Sequence, residues 1–199
     1  MSLHADALAV LSGWAAPSPG QETLRERYVD HLRAEPDGVH RSCRPDHLTA
    51  STLVLDEDAT HVLLTLHAKA RRWFQFGGHC EPEDRTLAAA ATREAREESG
   101  LPDLTVDPVP VQLSEHPVPF CGPGGDVHHL DVRFLAVAPA GSRHSVSDES
   151  LDVRWWPVGA LPDPEPEMVE LVALARARVQ SASPLGGGSS RAAADQPSR

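Results

Sequence analysis

Three glutamates, Glu94, Glu97 and Glu98, stand at the spacing i, i+3, i+4 in the run from Gly77 to Leu101, GGHCEPEDRTLAAAATREAREESGL. On a helix of 3.6 residues per turn they fall within an arc of roughly 100°. Like charges at these spacings repel and weaken an isolated helix. With a divalent cation the same oxygens become a site, because hard cations such as Mg²⁺ take oxygen ligands. The competing reading is a solvated helix face, and three neighbouring features argue against it. Ala88, Ala89, Ala90, Ala91 and Ala95 strip the helix of bulk so that it can lie close against a sheet, and alanine is the best helix former. Arg93, four residues before Glu97, is placed to hold that carboxylate in one rotamer. Gly77-Gly78 follows the apolar run Trp73-Phe74-Gln75-Phe76 and allows a sharp turn and a close approach to a ligand or metal. Asp84 is an available N-cap, and Gly100 before Leu101 is a left-handed stop with its hydrophobic contact.

The segment resembles the signature of the Nudix hydrolases, Gly-x5-Glu-x7-Arg-Glu-(apolar)-x-Glu-Glu-x-Gly-(apolar). Gly78, Arg93, Glu94, Ala95, Glu97, Glu98, Gly100 and Leu101 match in order. The match departs in two ways. Asp84 holds the first acidic position, and eight residues rather than seven separate it from Arg93. An extra residue can be absorbed where the loop meets the helix. The half from Arg93 to Leu101 is intact.

What the resemblance implies is an α/β/α sandwich with a mixed β-sheet. It implies hydrolysis of the diphosphate linkage in a nucleoside diphosphate linked to another moiety. The cofactor would be Mg²⁺ or Mn²⁺, held by Glu94, Glu97, Glu98 and the carbonyl of Gly77. Arg93 would orient these carboxylates. Many family members place a general base on a loop far along the chain, and Glu149 in Ser147-Asp148-Glu149-Ser150 is the candidate here. Asp148 is the fallback, and a box glutamate, Glu97 among them, could take the same step. A polar turn is the bland alternative.

Candidate substrate contacts are Arg72 and Trp73, His129, and Pro117 and Phe120 of the segment SEHPVPFCGP. That segment faintly resembles the proline-aromatic array of NADH pyrophosphatases, but Val118 stands where they carry Trp and their four-cysteine zinc module is missing. A stiff loop and a solvated hairpin tip explain the same residues without a substrate. Two other functions on this fold stay open. One is a non-catalytic nucleotide-binding module. The other is an isopentenyl diphosphate isomerase-like enzyme, which expects a catalytic cysteine beside a His/Glu metal cluster.

The elements that must position these residues follow from periodicity. Residues 1–45 form an N-terminal extension with two helices, the first marked by Leu3, Ala7, Leu8, Val10 and Leu11 and the second by Leu24, Tyr28, Val29 and Leu32. Packing or dimer contacts suit them better than chemistry. Strands are expected at 47–55 and 61–67 around an Asp56-Glu57-Asp58 turn, at 73–76, at 104–114 as an edge strand interrupted by prolines, at 127–138 and at 152–158. A last helix spans about 166–181. The catalytic domain is read as 46–182, followed by a disordered tail over 183–199 rich in Gly, Ser and Ala.

Composition narrows the partners. The chain has 199 residues, 18 Lys+Arg against 29 Asp+Glu and a formal charge of −11, which argues against nonspecific binding to nucleic acid or anionic membranes. A small phosphorylated substrate would then need a cation to offset repulsion. Cys43, Cys80 and Cys121 read as reduced thiols of a cytoplasmic protein, and no segment has the form of a membrane span or signal peptide. His79, Cys80, His116, Cys121, His128 and His129 lack the close ligand pairs of a zinc site, so their spacing argues against one.

Overall fold

The computed structural model describes residues 1–119, 121, 127–147 and 150–182. Phe120, Asp148, Glu149 and the tail over 183–199 lie outside the described residues. Ser2 and Ser18 accept hydrogen bonds from the amides of Ala5 and Gln21 and so start α1 (Leu3–Gly13) and α2 (Pro19–Ala34). The strands β1 (Asp46–Leu55) and β2 (His61–His67) form the expected hairpin, with Val54 opposite Leu63. Asp56 fixes its turn by accepting from the amides of Thr60 and His61.

The single strand expected at Trp73–Phe76 is two. β3 (Trp73–Phe74) pairs with β2, whereas β4 (Phe76–His79) pairs with β1, from Thr49 opposite His79 to Thr52 opposite Phe76. The split occurs at Gln75, where the chain passes from one partner to the other. Gly77 and Gly78 therefore lie within a strand rather than at a sharp turn. Close approach is what demands glycine at Gly77: a Cβ there would stand 2.6 Å from Ser51 Cα.

The acidic helix, α3 (Leu87–Ser99), is capped by Thr86, whose hydroxyl accepts from Ala89 N–H at 3.0 Å. This corrects the expectation for Asp84, which instead accepts from Glu81 N–H at 2.8 Å and from Arg93. Gly100 ends the helix at φ 68°, and Leu101 behind it is buried. Ala90, Ala91 and Ala95 are fully buried beneath the helix, whereas Ala89 is exposed. The remaining elements are β5 (Val106–Pro117), β6 (His128–Val137), β7 (Ser150–Pro157) and α4 (Pro166–Ala182).

The sheet runs β3-β2-β1-β6-β5, with β4 alongside β1 and β7 alongside β2; β1 and β6 are parallel and the other described pairs antiparallel. Side chains alternate across its two faces. One face sends Leu48, Ala50, Leu130, Val132 and Phe134 against α1, α2 and α3. The other sends Leu53, Leu55, Val62, Leu64 and Leu135 against Met168, Leu171 and Val172 of α4. The α/β/α layering expected from the sequence is therefore observed.

The N-terminal helices are tied into this core. Gln21 Nε2 donates to Leu113 O at 3.0 Å while its Oε1 accepts from Leu113 N, so a side-chain amide pairs with the edge strand β5 as a neighbouring strand would. Asp6 accepts from Leu87 N–H at 2.9 Å and satisfies a free amide in the first turn of α3.

Candidate active site

Beyond the reach of Leu53 and Leu55, the α4 face of the sheet turns polar. His47, Thr49 and Ser51 of β1 stand opposite His129, Asp131 and Arg133 of β6, which stand opposite His116, Ser114 and Gln112 of β5. Asp131 sits at the centre. It accepts from Thr49 Oγ1 at 3.0 Å, Ser51 Oγ at 2.7 Å and Arg133 Nε at 3.1 Å, and Gln75 Nε2 approaches at 3.3 Å. Complete burial would raise its pKa, but Arg133, His116 and the Ser51 hydroxyl outweigh that and hold it below the usual carboxylate value.

At the β4 edge stand the box residues. Gly77 N–H donates to Glu98 Oε2 at 2.9 Å. The missing side chain of Gly78 makes room for Glu94, since a Cβ there would lie 2.8 Å from Glu94 Oε1. Arg93 lies between helix and loop. Its Nη1 reaches Glu94 Oε1 at 2.9 Å and Glu97 Oε2 at 3.3 Å, and its Nη2 reaches Asp84 Oδ2 at 3.0 Å and the His79 carbonyl at 2.9 Å. Burial works against its charge, yet Asp84 and Glu94 raise its pKa above the ordinary value. The Glu94 side chain is 16% exposed and that of Glu97 62%, so Glu97 is the box carboxylate most open to a ligand from solvent.

The segment before β7 docks on the end of α3. Ser145 N–H donates to Ser99 O at 2.8 Å, and the Gly100 backbone approaches Ser145 too closely for a side chain. Ser150 is held at 2.6 Å by Thr65. Asp148 and Glu149 belong to this stretch of chain but lie outside the described residues.

The expected substrate contacts divide. Trp73 stacks edge-on against Trp156 at 5.2 Å, and its amide donates to Asp163. Arg72 pairs with Glu165 at 2.6 Å and lies over the Phe74 ring. Pro117 ends β5 opposite His128. His129 turns into a group with His47, His79 and Cys121, whose ligand atoms all lie within 4.8 Å of one another. Sequence spacing alone therefore does not exclude a metal here, because the strands bring together what the sequence keeps apart. Cys80 is buried in the hydrophobic core and His128 pairs with Asp46, so neither joins them. The group carries no glutamate, unlike the cluster an isomerase would need. Sequence reading missed His47, Gln75 and Asp131. The signal available for them was the alternation of polar residues at 47, 49, 51 and at 129, 131, 133 within otherwise apolar strands.

A family model described as NUDIX domain matches residues 45–175. The chain belongs to the Nudix family. As a Nudix hydrolase it acts on acid anhydrides in phosphorus-containing compounds. Solved structures share the fold. A Nudix-family hydrolase from Clostridium perfringens superposes with a TM-score of 0.52 at 22% identity, over 68% of this chain and 97% of that one. The C. elegans Ap4A hydrolase, as a binary complex, gives 0.56 at 18% identity over 67% and 98%. The Nudix domain of NrtR from Shewanella oneidensis, solved with ADP ribose, gives 0.52 at 18% identity over 70% and 92%. No curated protein matches the sequence. No helix among the described residues is long and apolar enough to cross a membrane.

The donor set of the Nudix box suits the divalent cation that the family implies. Glu94, Glu97 and Glu98 supply carboxylate oxygens and Gly77 a carbonyl, which is the hard, all-oxygen environment of Mg²⁺ or Mn²⁺. Glu98 and Glu94 already lie against Gly77 and Gly78 at the start of the box.

Proposed function

We propose that this Nudix hydrolase cleaves the diphosphate linkage of a nucleoside diphosphate joined to another moiety, with Mg²⁺ or Mn²⁺ held by Glu94, Glu97, Glu98 and the Gly77 carbonyl. One observation carries this reading: a single guanidinium, Arg93, ties Asp84 to Glu94 and Glu97 while Glu98 is anchored to the Gly77 amide. Three carboxylates are thereby held on one side of the helix despite their mutual repulsion. The fold relatives support a nucleotide ligand, since they include an Ap4A hydrolase and a domain bound to ADP ribose.

The cation, when bound, offsets charge on the phosphoryl oxygens and lowers the pKa of water. Arg93 positions the ligand carboxylates. Glu97, exposed at the end of the network, meets the incoming diphosphate side of the site. Glu149 is proposed as the general base; its support is that Ser145 and Ser150, on either side, are fastened to Ser99 and Thr65. Trp73, Arg72, Pro117 and Phe120 are proposed as contacts for the organic part of the substrate.

The test is product release from ADP-ribose, NADH, dinucleoside polyphosphates and 8-oxo-dGTP, with and without Mg²⁺. Hydrolysis of at least one is expected only with the metal, and Glu98→Gln or Glu97→Gln should lower it by about 100-fold, the equivalent of roughly 3 kcal/mol of lost transition-state stabilisation. Wild-type turnover by both variants would remove the box from the chemistry. Nucleotide binding without turnover would instead establish a sensor.

A further inference from the structure

His47 is the second residue of β1, His79 closes β4, His129 is the second residue of β6 and Cys121 lies between β5 and β6, so four separate pieces of chain meet at one point. The parallel register sets His47 directly opposite His129, and β4 brings in His79 opposite Thr49. The three rings form a nearly equilateral triangle, with centroids 5.2 Å (His47–His79), 5.0 Å (His47–His129) and 4.9 Å (His79–His129) apart. Cys121 Sγ lies 3.2 Å from His79 Nε2 and 3.7 Å from His47 Nε2.

The ring spacings and the two sulfur contacts are close to those of a metal centre, and ligand atoms within 4.8 Å of one another need only a small inward shift to close on an ion. Three imidazoles on a tetrahedral Zn²⁺, with Zn–N of about 2.05 Å, place their ring centroids about 5.2 Å from one another. A thiolate at about 2.3 Å from the ion then lies about 3.6 Å from each nitrogen.

The hydrogen bonding of the group is also incomplete. His47 Nδ1 lies 3.2 Å from the Cys43 carbonyl, which fixes that nitrogen as the protonated one and leaves Nε2 as a bare lone pair facing the sulfur. Even if His79 donates to sulfur and sulfur to His47, the buried Nε2 of His129 has no hydrogen-bond partner among the described residues. A buried polar atom left in this way is unfavourable unless a ligand completes it.

We propose that His47, His79, Cys121 and His129 bind one Zn²⁺ in a closed tetrahedral site separate from the Nudix box. Three imidazoles and a thiolate are borderline-to-soft donors, which select zinc over the Mg²⁺ suited to the box. On binding, the Cys121 thiol gives its proton to solvent and the sulfur becomes the fourth ligand. Four protein ligands leave no open position, which is the form of a structural site. Its place in the fold states what it would hold: His79 follows the glycine pair directly, and its carbonyl receives Arg93 Nη2 at 2.9 Å. The ion would pin the end of β4, and with it the strand from which Gly77 meets Glu98.

The experiment is metal analysis of the full chain together with the absorption spectrum of its Co²⁺ form. One equivalent of zinc per chain is expected, retained in Glu98→Gln, which separates this site from the box. Co²⁺ should give strong visible ligand-field bands and a thiolate-to-cobalt charge-transfer band, the latter lost in Cys121→Ser. Should Cys121→Ser fail to fold, the spectrum of the wild-type protein still decides. A pale octahedral spectrum without the charge-transfer band, failure to retain zinc after reconstitution, or loss of zinc in Glu98→Gln would each overturn the proposal.

Discussion

Arg93 and Asp84 are joined across nine residues by two guanidinium nitrogens, Nη2 to Oδ2 at 3.0 Å and Nε to Oδ1 at 3.4 Å. This fork explains how the chain tolerates an aspartate and an extra residue where the family signature has glutamate and one residue fewer. Thr86 takes over the helix cap, which frees Asp84 to turn toward the box. The Asp84 side chain is only 7% exposed, so its charge is satisfied by Arg93 and the Glu81 amide rather than by water.

A lysine cannot reproduce that fork. Arg93→Lys keeps the charge but has no planar pair of donors to span Asp84, Glu94 and the His79 carbonyl. Arg93 is mostly buried, and hydrogen bonds to charged groups contribute about 1.5–3 kcal/mol each. We expect urea denaturation to show a loss of about 2 kcal/mol, and metal-dependent turnover to fall by roughly 10- to 100-fold, or about 1.4–2.7 kcal/mol in the barrier. Unchanged turnover with lowered stability would confine Arg93 to the fold.

The two box glycines should respond differently to the same methyl group. At Gly77 the added Cβ meets the backbone and side chain of Ser51, which cannot move without parting β1 from β4. Gly77→Ala should therefore destabilise by about 3 kcal/mol or more, in the range of overpacked sites. At Gly78 the obstacle is the end of the Glu94 side chain, which can swing away. Gly78→Ala should melt within a few degrees of wild type yet need a higher Mg²⁺ concentration for half-maximal activity. Thermal melts and a metal titration of both variants check the contrast.

The legible parts of this fold were those written in local pattern. Alternation and an Asp-rich turn marked the β1–β2 hairpin, and alanines beneath glutamates marked α3. What sequence hid was partner choice. Nothing in Trp73-Phe74-Gln75-Phe76 says that the chain changes neighbours at Gln75, because that depends on where β1 leaves β2. Asp84 and Thr86 are both competent caps, and two residues of loop geometry decide between them. The histidine–cysteine group was hidden for the same reason. Zinc motifs are recognised by close ligand pairs, whereas here the parallel ladder of β1 and β6 sets His47 beside His129.

Gln21 makes the N-terminal extension part of the domain's stability. Its amide satisfies both the N–H and the C=O of Leu113 on the sheet edge, and the strand there is buried beneath α2. Gln21→Ala leaves two buried backbone groups without partners, at about 1–3 kcal/mol each, so a loss of about 3 kcal/mol is expected in chemical denaturation. Gln21→Glu should be nearly as damaging, because a carboxylate cannot donate to the Leu113 carbonyl. A chain lacking residues 1–34 should aggregate, since it exposes the β5 edge.

Tyr28 is the one tyrosine of the chain, fully buried, and its hydroxyl has no hydrogen-bond partner among the described residues. Burial, with the negative charges of Asp131 and Glu115 behind it, raises its pKa well above the ordinary phenol value. The folded chain thus keeps a proton that the unfolded chain releases above a pH of about 10. Stability from this group is complete below that pH and declines as pH rises through and beyond it. Lys69 is the only lysine. Burial also pushes up the thiols of Cys43 and Cys80, which act in the same direction, so the contribution of Tyr28 is read as the difference between wild type and Tyr28→Phe. We expect the phenolate absorption to stay silent in the native protein and to emerge only together with loss of circular dichroism. Tyr28→Phe removes an unsatisfied hydroxyl at constant shape. At pH 7 it should be neutral or more stable by about 1 kcal/mol, and its alkaline decline should be shallower than that of the wild type. A native-state phenolate signal near pH 10, or a variant several kcal/mol less stable, would show that the hydroxyl has a partner after all.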